Sequence, residues 1–383
     1  MKSQFRGTLA RPTPDAKPPP AYGPALSYQP EPLSTADLAA LLATHPATSA
    51  VAAGLRAEAL VPMREKGVAH AHFRLAGRGL VLRVPRLSQW ALPPEENLAY
   101  QAACFARAAP SGATPRLAAV LPVNPALPRG ALLVEEILGR PPRLPQDLPS
   151  LAASLARIHA VPVPEPAARP PLADHGAAGP VAGTLAVIER QVPALDEAEL
   201  PRATREALLA ELDWARGLAA TAAPQDQPIT LVGTDTHPGN FLIRADGSAA
   251  LVDLEKALYG SPAIDLAHTS LFTSTTWDLD VQALLARDEI AGFYRRYLAL
   301  AEPSEAARLR PWLLPCRRLT WLRTMMWCAR WRVASAASPD WSERRVDPAL
   351  LAHIRRRVAA FFAPETVSAV RAEWLEGPSF DFP

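Results

Sequence analysis

The stretch that decides the reading is residues 231–266, LVGTDTHPGNFLIRADGSAALVDLEKALYGSPAIDL. Two apolar runs, Phe241-Leu242-Ile243 and Ala249-Ala250-Leu251-Val252, flank Asp246-Gly247, a pair suited to the positive φ angles of a tight turn, so the middle reads as a β-hairpin. With that pair at the centre, Ala245 faces Ser248, Leu242 faces Leu251 and Asn240 faces Asp253. Directly opposed residues hold their Cβ atoms about 4.5–5.5 Å apart. This register therefore brings one carboxylate and one amide oxygen together at the open end of the hairpin. A hard cation such as Mg²⁺ takes one or two carboxylates and neutral oxygens and keeps places for phosphate oxygens. Asp235 stands in the preceding loop, where Pro238 fixes φ and Gly239 permits a turn that a side chain would oppose. Phosphoryl transfer needs an Asp to accept a hydroxyl proton, Asn and Asp to hold metal, and a cation on the phosphates; all three residue types occur here.

The rest of the chain limits what such a site serves. Its 383 residues exceed what one core usually organises, so two lobes are expected. It is 49% hydrophobic and 20% charged, which excludes a wholly disordered chain or a fibre. A net charge of +2 gives no field to attract nucleic acid or anionic lipid. Three cysteines at spacings that fit no metal motif point to reduced, buried thiols and a cytoplasmic setting. The most apolar window, 38–55, is broken by His45 and Pro46, so no membrane span is expected. Prolines follow Lys2, Arg6 and Arg11 where a secretory signal would be apolar, so no such signal is expected either.

Residues 1–33 are rich in proline and read as a solvated tail. Ser34 or Thr35 then caps a short helix carrying Leu38, Leu41 and Leu42. A hairpin follows, with His72-Phe73-Arg74-Leu75 and Leu80-Val81-Leu82-Arg83-Val84 joined through Gly77 and Gly79. A helix over 95–109 and a strand over 131–137 complete a small sheet lobe, taken as 34–138. Beyond it, residues 139–383 are mainly helical, with Leu148, Leu151, Leu155 and Ile158 on one face and similar patterns over 181–191 and 201–219. The Pro/Ala-rich segment 162–180 reads as a surface loop.

Within 231–266 the motif residues are Gly233-Thr234-Asp235-Thr236-His237-Pro238-Gly239-Asn240, then Val252-Asp253-Leu254-Glu255, then Gly260-Ser261-Pro262-Ala263-Ile264-Asp265-Leu266-Ala267. They resemble the aminoglycoside phosphotransferase and choline kinase superfamily, which reads H-G-D-x-H-P-x-N, an apolar hairpin, I-D-W/F-E and G-D-P-x-x-D-L-A. Gly233 replaces the leading His, and Leu254 replaces an aromatic residue. The resemblance implies an α+β, protein-kinase-like two-lobe fold with an antiparallel-sheet N-lobe and a larger helical C-lobe. It implies Asp235 as catalytic base, Asn240 and Asp253 as Mg²⁺ ligands, and Asp265 as a brace for the loop. It further implies that Arg83 grips the α/β-phosphates, with Glu96 or its neighbour Glu95 as its ion-pair partner. By the same resemblance the loop 66–70, with Gly67, covers the phosphates, and the backbone at Glu136 and Ile137 meets the adenine.

The function expected is an ATP- and Mg²⁺-dependent kinase for a hydroxyl of a small molecule, GTP being left open. The alternative is an inactive pseudokinase with a regulatory role. Only eight residues separate Asp253 from Pro262, too few for the segment with which protein kinases dock a polypeptide. Residues 277–383 carry sixteen arginines and thirteen acids, a balance that argues against polycationic acceptors. On the helix around Trp321, the stripe Trp321, Met325, Cys328 and Arg332, with Arg323, Trp327, Arg330 and Trp331 nearby, is expected to be a core stripe with snorkelling arginines. The alternative is an aromatic and Arg wall that stacks on a planar, cyclic or anionic acceptor or cages a quaternary ammonium. His159, His237 and His268 are read as structural.

Overall fold

The computed structural model describes residues 34–64, 66–67, 69–337 and 347–375; the proline-rich tail 1–33 lies outside them. Ser34 caps the Thr35–Thr44 helix, accepting a hydrogen bond from the Asp37 N–H, a contact typically worth about 1 kcal/mol. The sheet that follows contains β1 (Leu60–Pro62), β2 (His70–Leu75), β3 (Leu80–Pro85), β4 (Leu117–Leu121) and β5 (Ala131–Glu135), all antiparallel in the order β1-β2-β3-β5-β4. Positive φ at Gly77 and Gly79 closes the β2–β3 turn.

Alternation along β3 sorts its side chains between two faces. Leu82 packs with Leu38 and Leu42 of the first helix, whereas Val81 packs with Leu98 and Phe105 of the Pro94–Ala108 helix on the other face. Arg83 shares the Val81 face, so its guanidinium points toward the second lobe, over the Phe105 ring. β5 ends at Glu135, two residues short of the expected strand, and residues 136–139 lead to Arg140, which exchanges backbone hydrogen bonds with Ile243 of the second lobe.

That second lobe is built on the helices Leu148–His159, Pro180–Glu189, Arg202–Thr221, Pro262–Ser270, Arg287–Leu298, Leu313–Ala337, Pro348–Phe361 and Pro364–Leu375. Segment 162–180 is not simply a surface loop: Leu172 is buried and the His175 N–H bonds the Tyr259 carbonyl. Short strands β6 (Thr230–Val232) and β9 (Leu258–Gly260) pair, as do β7 (Phe241–Ile243) and β8 (Ala249–Leu251). One apolar core runs through the lobe junction, joining Leu98 and Phe105 to Leu155, Phe241 and Tyr259. The Tyr100 hydroxyl donates to the Ala257 carbonyl at 2.7 Å and the Trp90 indole to that of Glu255 at 3.2 Å. No described helix is long and apolar enough to cross a membrane. Cys104, Cys316 and Cys328 are buried free thiols.

Candidate active site

The β7–β8 hairpin forms, but its register is one residue away from the expected one. Leu242 pairs with Ala250, and the Asn240 carbonyl accepts from the Val252 N–H, so Asn240 does not stand directly opposite Asp253. The cause lies in the turn. Gly247 has φ 82° while Asp246 does not enter the left-handed region. The Gly247 N–H bonds the Arg244 carbonyl, and the Arg244 N–H bonds that of Ser248. This is a three-residue loop ending in a left-handed glycine, not the two-residue turn that Asp-Gly suggested. Asn240 and Asp253 still line the same cleft, because both stand just past the ends of the paired strands.

The loop before the hairpin is braced from below. Asp265, fully buried on the Pro262–Ser270 helix, accepts from the N–H groups of Gly233 (2.7 Å) and Thr234 (2.8 Å). His159 reaches the same carboxylate at 3.1 Å and the Tyr297 hydroxyl at 2.8 Å, which makes it a brace. Gly233, where the motif has His, leaves no space for a larger residue: a Cβ there would lie 2.9 Å from Leu251 and Thr236 side-chain carbons. Thr234 occupies the position that is Gly in the motif and keeps φ at 58°, a costly conformation for a β-branched residue. Its hydroxyl donates to the Lys256 carbonyl, and Arg323 donates to its own carbonyl.

Two carboxylates on this side of the cleft are held by cations. Asp235 meets the Lys256 ammonium at 2.6 Å, and His268 Nε2 lies 4.0 Å from its other oxygen. Burial alone would raise the Asp235 pKa, but Lys256 and the two neighbouring histidines hold it far below the usual carboxylate range. The Asp235 carbonyl accepts from the Asn240 amide, which turns the amide oxygen of Asn240 the other way. Asp253 binds Arg83 at 2.8 Å, and that cation outweighs burial to keep its pKa low. Burial and the nearby Asp253 push Glu255 up to about 8, with His70 Nδ1 at 3.3 Å from it. Burial and Arg83 lower His70 to about 4, so both partners are neutral near pH 7.

The cleft has a volume of about 600 Å³ and is lined by Arg83, Gly67, Glu136, Ile137, Asp235, Asn240 and Asp253. Glu96 is not among them. It and Glu95 sit exposed in the first turn of the Pro94–Ala108 helix, and Arg83 pairs with Asp253 instead. The helix turns a different face inward: the amide oxygen of Gln101, about one turn later and buried, accepts from His70 Nε2 at 3.0 Å. Sequence reading also missed Lys256, although a signal was present. Of four lysines in the chain, at 2, 17, 66 and 256, the two beyond the tail both line this cleft. Lys66 and Arg64 reach across its mouth to Asp280, at 2.7 and 3.1 Å.

A divalent ion is compatible with this donor set. Asp253 has an oxygen beyond the one on Arg83, and the amide oxygen of Asn240 is directed away from the Asp235 carbonyl. Two protein oxygens are few, and no cluster of three His, Cys, Asp or Glu suited to a metal occurs among the described residues. An ion held by Asp253 and Asn240 would take its other ligands from phosphate and water.

A sheet lobe, a helical lobe and a cleft of paired carboxylates between them define a kinase-like protein. Residues 64–312 match the family model described as the phosphotransferase enzyme family, and the chain belongs to that family. Its fold is that of solved small-molecule kinases. A choline/ethanolamine kinase family protein from Mesorhizobium loti superposes with a TM-score of 0.52 at 20% identity, covering 88% of this chain and 99% of that one. An ethanolamine kinase from Plasmodium vivax gives 0.52 at 13% identity, over 82% and 85% of the two chains. The macrolide 2′-phosphotransferase of Brachybacterium faecium gives 0.50 at 18%, over 85% and 97%. No curated protein sequence matches the chain.

Proposed function

We propose that the chain transfers the γ-phosphoryl group of ATP to a hydroxyl of a small molecule. The observation that carries this reading is the convergence of Asp235, Asn240, Asp253 and Lys256 on one cleft. Asp235 is the group that accepts the acceptor's hydroxyl proton, and its attachment to a braced loop fixes where that hydroxyl must lie. Lys256, already within 2.6 Å of Asp235, is the cation placed to meet the transferred phosphoryl. Arg83 has a double part. It holds Asp253 and the Val252 carbonyl, so it orients a metal ligand as well as offering charge toward the nucleotide's inner phosphates. Asn240 and Asp253 would hold Mg²⁺, which when bound neutralises phosphate charge. Glu136 and Ile137, on the lobe connection, line the end of the cleft suited to the adenine.

The short connection after Asp253 supports a small acceptor: β9 and the Pro262–Ser270 helix follow almost at once. The test is ADP release against small-molecule alcohols with ATP and Mg²⁺. Asp235→Asn is expected to lower the rate about 10³-fold, within the range for a lost general base, while ATP with Mg²⁺ still raises the melting temperature. Unchanged turnover in that variant, or activity confined to a peptide hydroxyl, would refute the reading.

A further inference from the structure

The acceptor end of the cleft differs chemically from the phosphate end, and its lining narrows the class of acceptor. Three indoles stand there. Trp327 and Trp331 follow Arg323 at intervals of four on the Leu313–Ala337 helix, and Trp277 meets Trp327 edge-on with ring centroids 5.6 Å apart. Among them sit uncharged polar groups. Thr273, Ser274 and Gln191 line the cleft, and their side-chain oxygens are buried and have no hydrogen-bond partner. A buried polar atom left without a partner costs about 1–3 kcal/mol, so a ligand that bonds these atoms recovers that cost on binding.

Charge excludes two alternatives. Among the described residues, the acids at this end are Asp278 and Asp280. One Asp278 oxygen already accepts the N–H groups of Asp280 and Val281, and Asp280 is held by Lys66 and Arg64. A polycation meets only two acids there, each already shared with another donor. A quaternary ammonium suits an aromatic wall, but its head carries no N–H or O–H donor, and choline's single hydroxyl is the one that must face Asp235, which leaves none for three oxygens. A pyranose or cyclitol has what the wall lacks: an apolar C–H face for an indole and a rim of hydroxyls. A cleft of about 600 Å³ that must also hold a nucleotide leaves room for a single ring of that kind.

We infer that the acceptor is an uncharged, polyhydroxylated ring stacked on the Trp277–Trp327–Trp331 wall, oriented by Gln191, Thr273 and Ser274. The inference rests on the kinase reading above. It is tested on the full chain with ATP and Mg²⁺, measuring ADP release with glucose, N-acetylglucosamine and myo-inositol against choline and kanamycin. One of the neutral rings is expected to give a kcat/KM at least about tenfold above choline and kanamycin. Gln191→Leu and Ser274→Ala should each raise its KM about five- to twentyfold, the equivalent of one lost hydrogen bond to a buried group, with kcat less affected. Higher kcat/KM for choline or kanamycin, or unchanged KM in both variants, would overturn it. So would turnover of none of the five compounds by a protein whose melting temperature ATP and Mg²⁺ raise. If the nucleotide gives no such rise, the kinase reading itself fails, which is a separate result.

Discussion

The two ends of the cleft solve opposite problems. At the phosphate end three acids are tied to named partners, Asp235 to Lys256, Asp253 to Arg83 and Asp265 to two backbone N–H groups and His159, while Glu255 is kept neutral by burial. At the acceptor end the surface is aromatic, and buried oxygens stand without partners. One end is preorganised for a charge pattern that any phosphoryl transfer shares; the other is left to be completed by a particular molecule. The difference explains why the first end can be named from sequence and the second only from the folded chain.

The sharpest way to break this contrast is at Lys256. If its ammonium serves the transferred phosphoryl and does more than neutralise Asp235, Lys256→Ala should lower kcat about 10²–10³-fold, with much less effect on the KM for ATP. Equal losses in kcat and in nucleotide binding would instead make it a purely structural partner of the loop. A smaller effect is expected where the two ends touch. A Cβ on Gly239 would sit 2.4 Å from the Asp278 carboxylate, so Gly239→Ala must displace the acceptor-side loop or the catalytic one. We expect it to cost about 1–3 kcal/mol by denaturant titration, as overpacking does, and to raise the acceptor KM more than that for ATP. Unaltered stability would mean that Asp278 moves freely.

The smallest effect concerns pH. Glu255 is raised to about 8 in the fold, chiefly by burial, whereas an ordinary Glu ionises near 4.3. Between those values the folded chain holds a proton that the unfolded chain releases, so stability falls as pH rises toward 8. His70 and His268, lowered to about 4 and about 3, act in the opposite sense, but only below about 6.5, their unfolded value. From pH 6.5 to 8, metal-free protein should therefore lose melting temperature, and Glu255→Gln should flatten that slope. A slope unchanged by the substitution would show that Glu255 ionises normally.

Much of the phosphate end was legible because its information is local. The turn glycines, the apolar runs and the spacing of Asp235, Asn240 and Asp253 lie within 36 residues and need only strand and turn rules. The register slipped by one because Asp-Gly is compatible with two loop lengths, and the choice depends on the φ of Asp246. Glu96 was assigned by its place at the start of a helix, yet the inward face of that helix is set by packing, which selects Gln101. Thr234 hides a left-handed residue under a β-branched side chain, contrary to propensity, and several hydrogen bonds hold it there. For the Leu313–Ala337 helix, periodicity gave a stripe of which Trp321, Met325 and Cys328 are buried and Arg332 is half-buried. It offered Trp327 and Trp331 as an alternative acceptor wall, but gave no hint that Gln191 and Ser274, from two other elements, would share it.

The scarcity of lysine has a practical corollary. Outside the first 17 residues, the chain's primary amines are those of Lys66 and Lys256, one at the lip of the cleft and one at its floor. Once the amines of the first 17 residues are set aside by peptide mapping, the degree to which a bound nucleotide shields the deeper of the two from acylation reads out occupancy without any mutation.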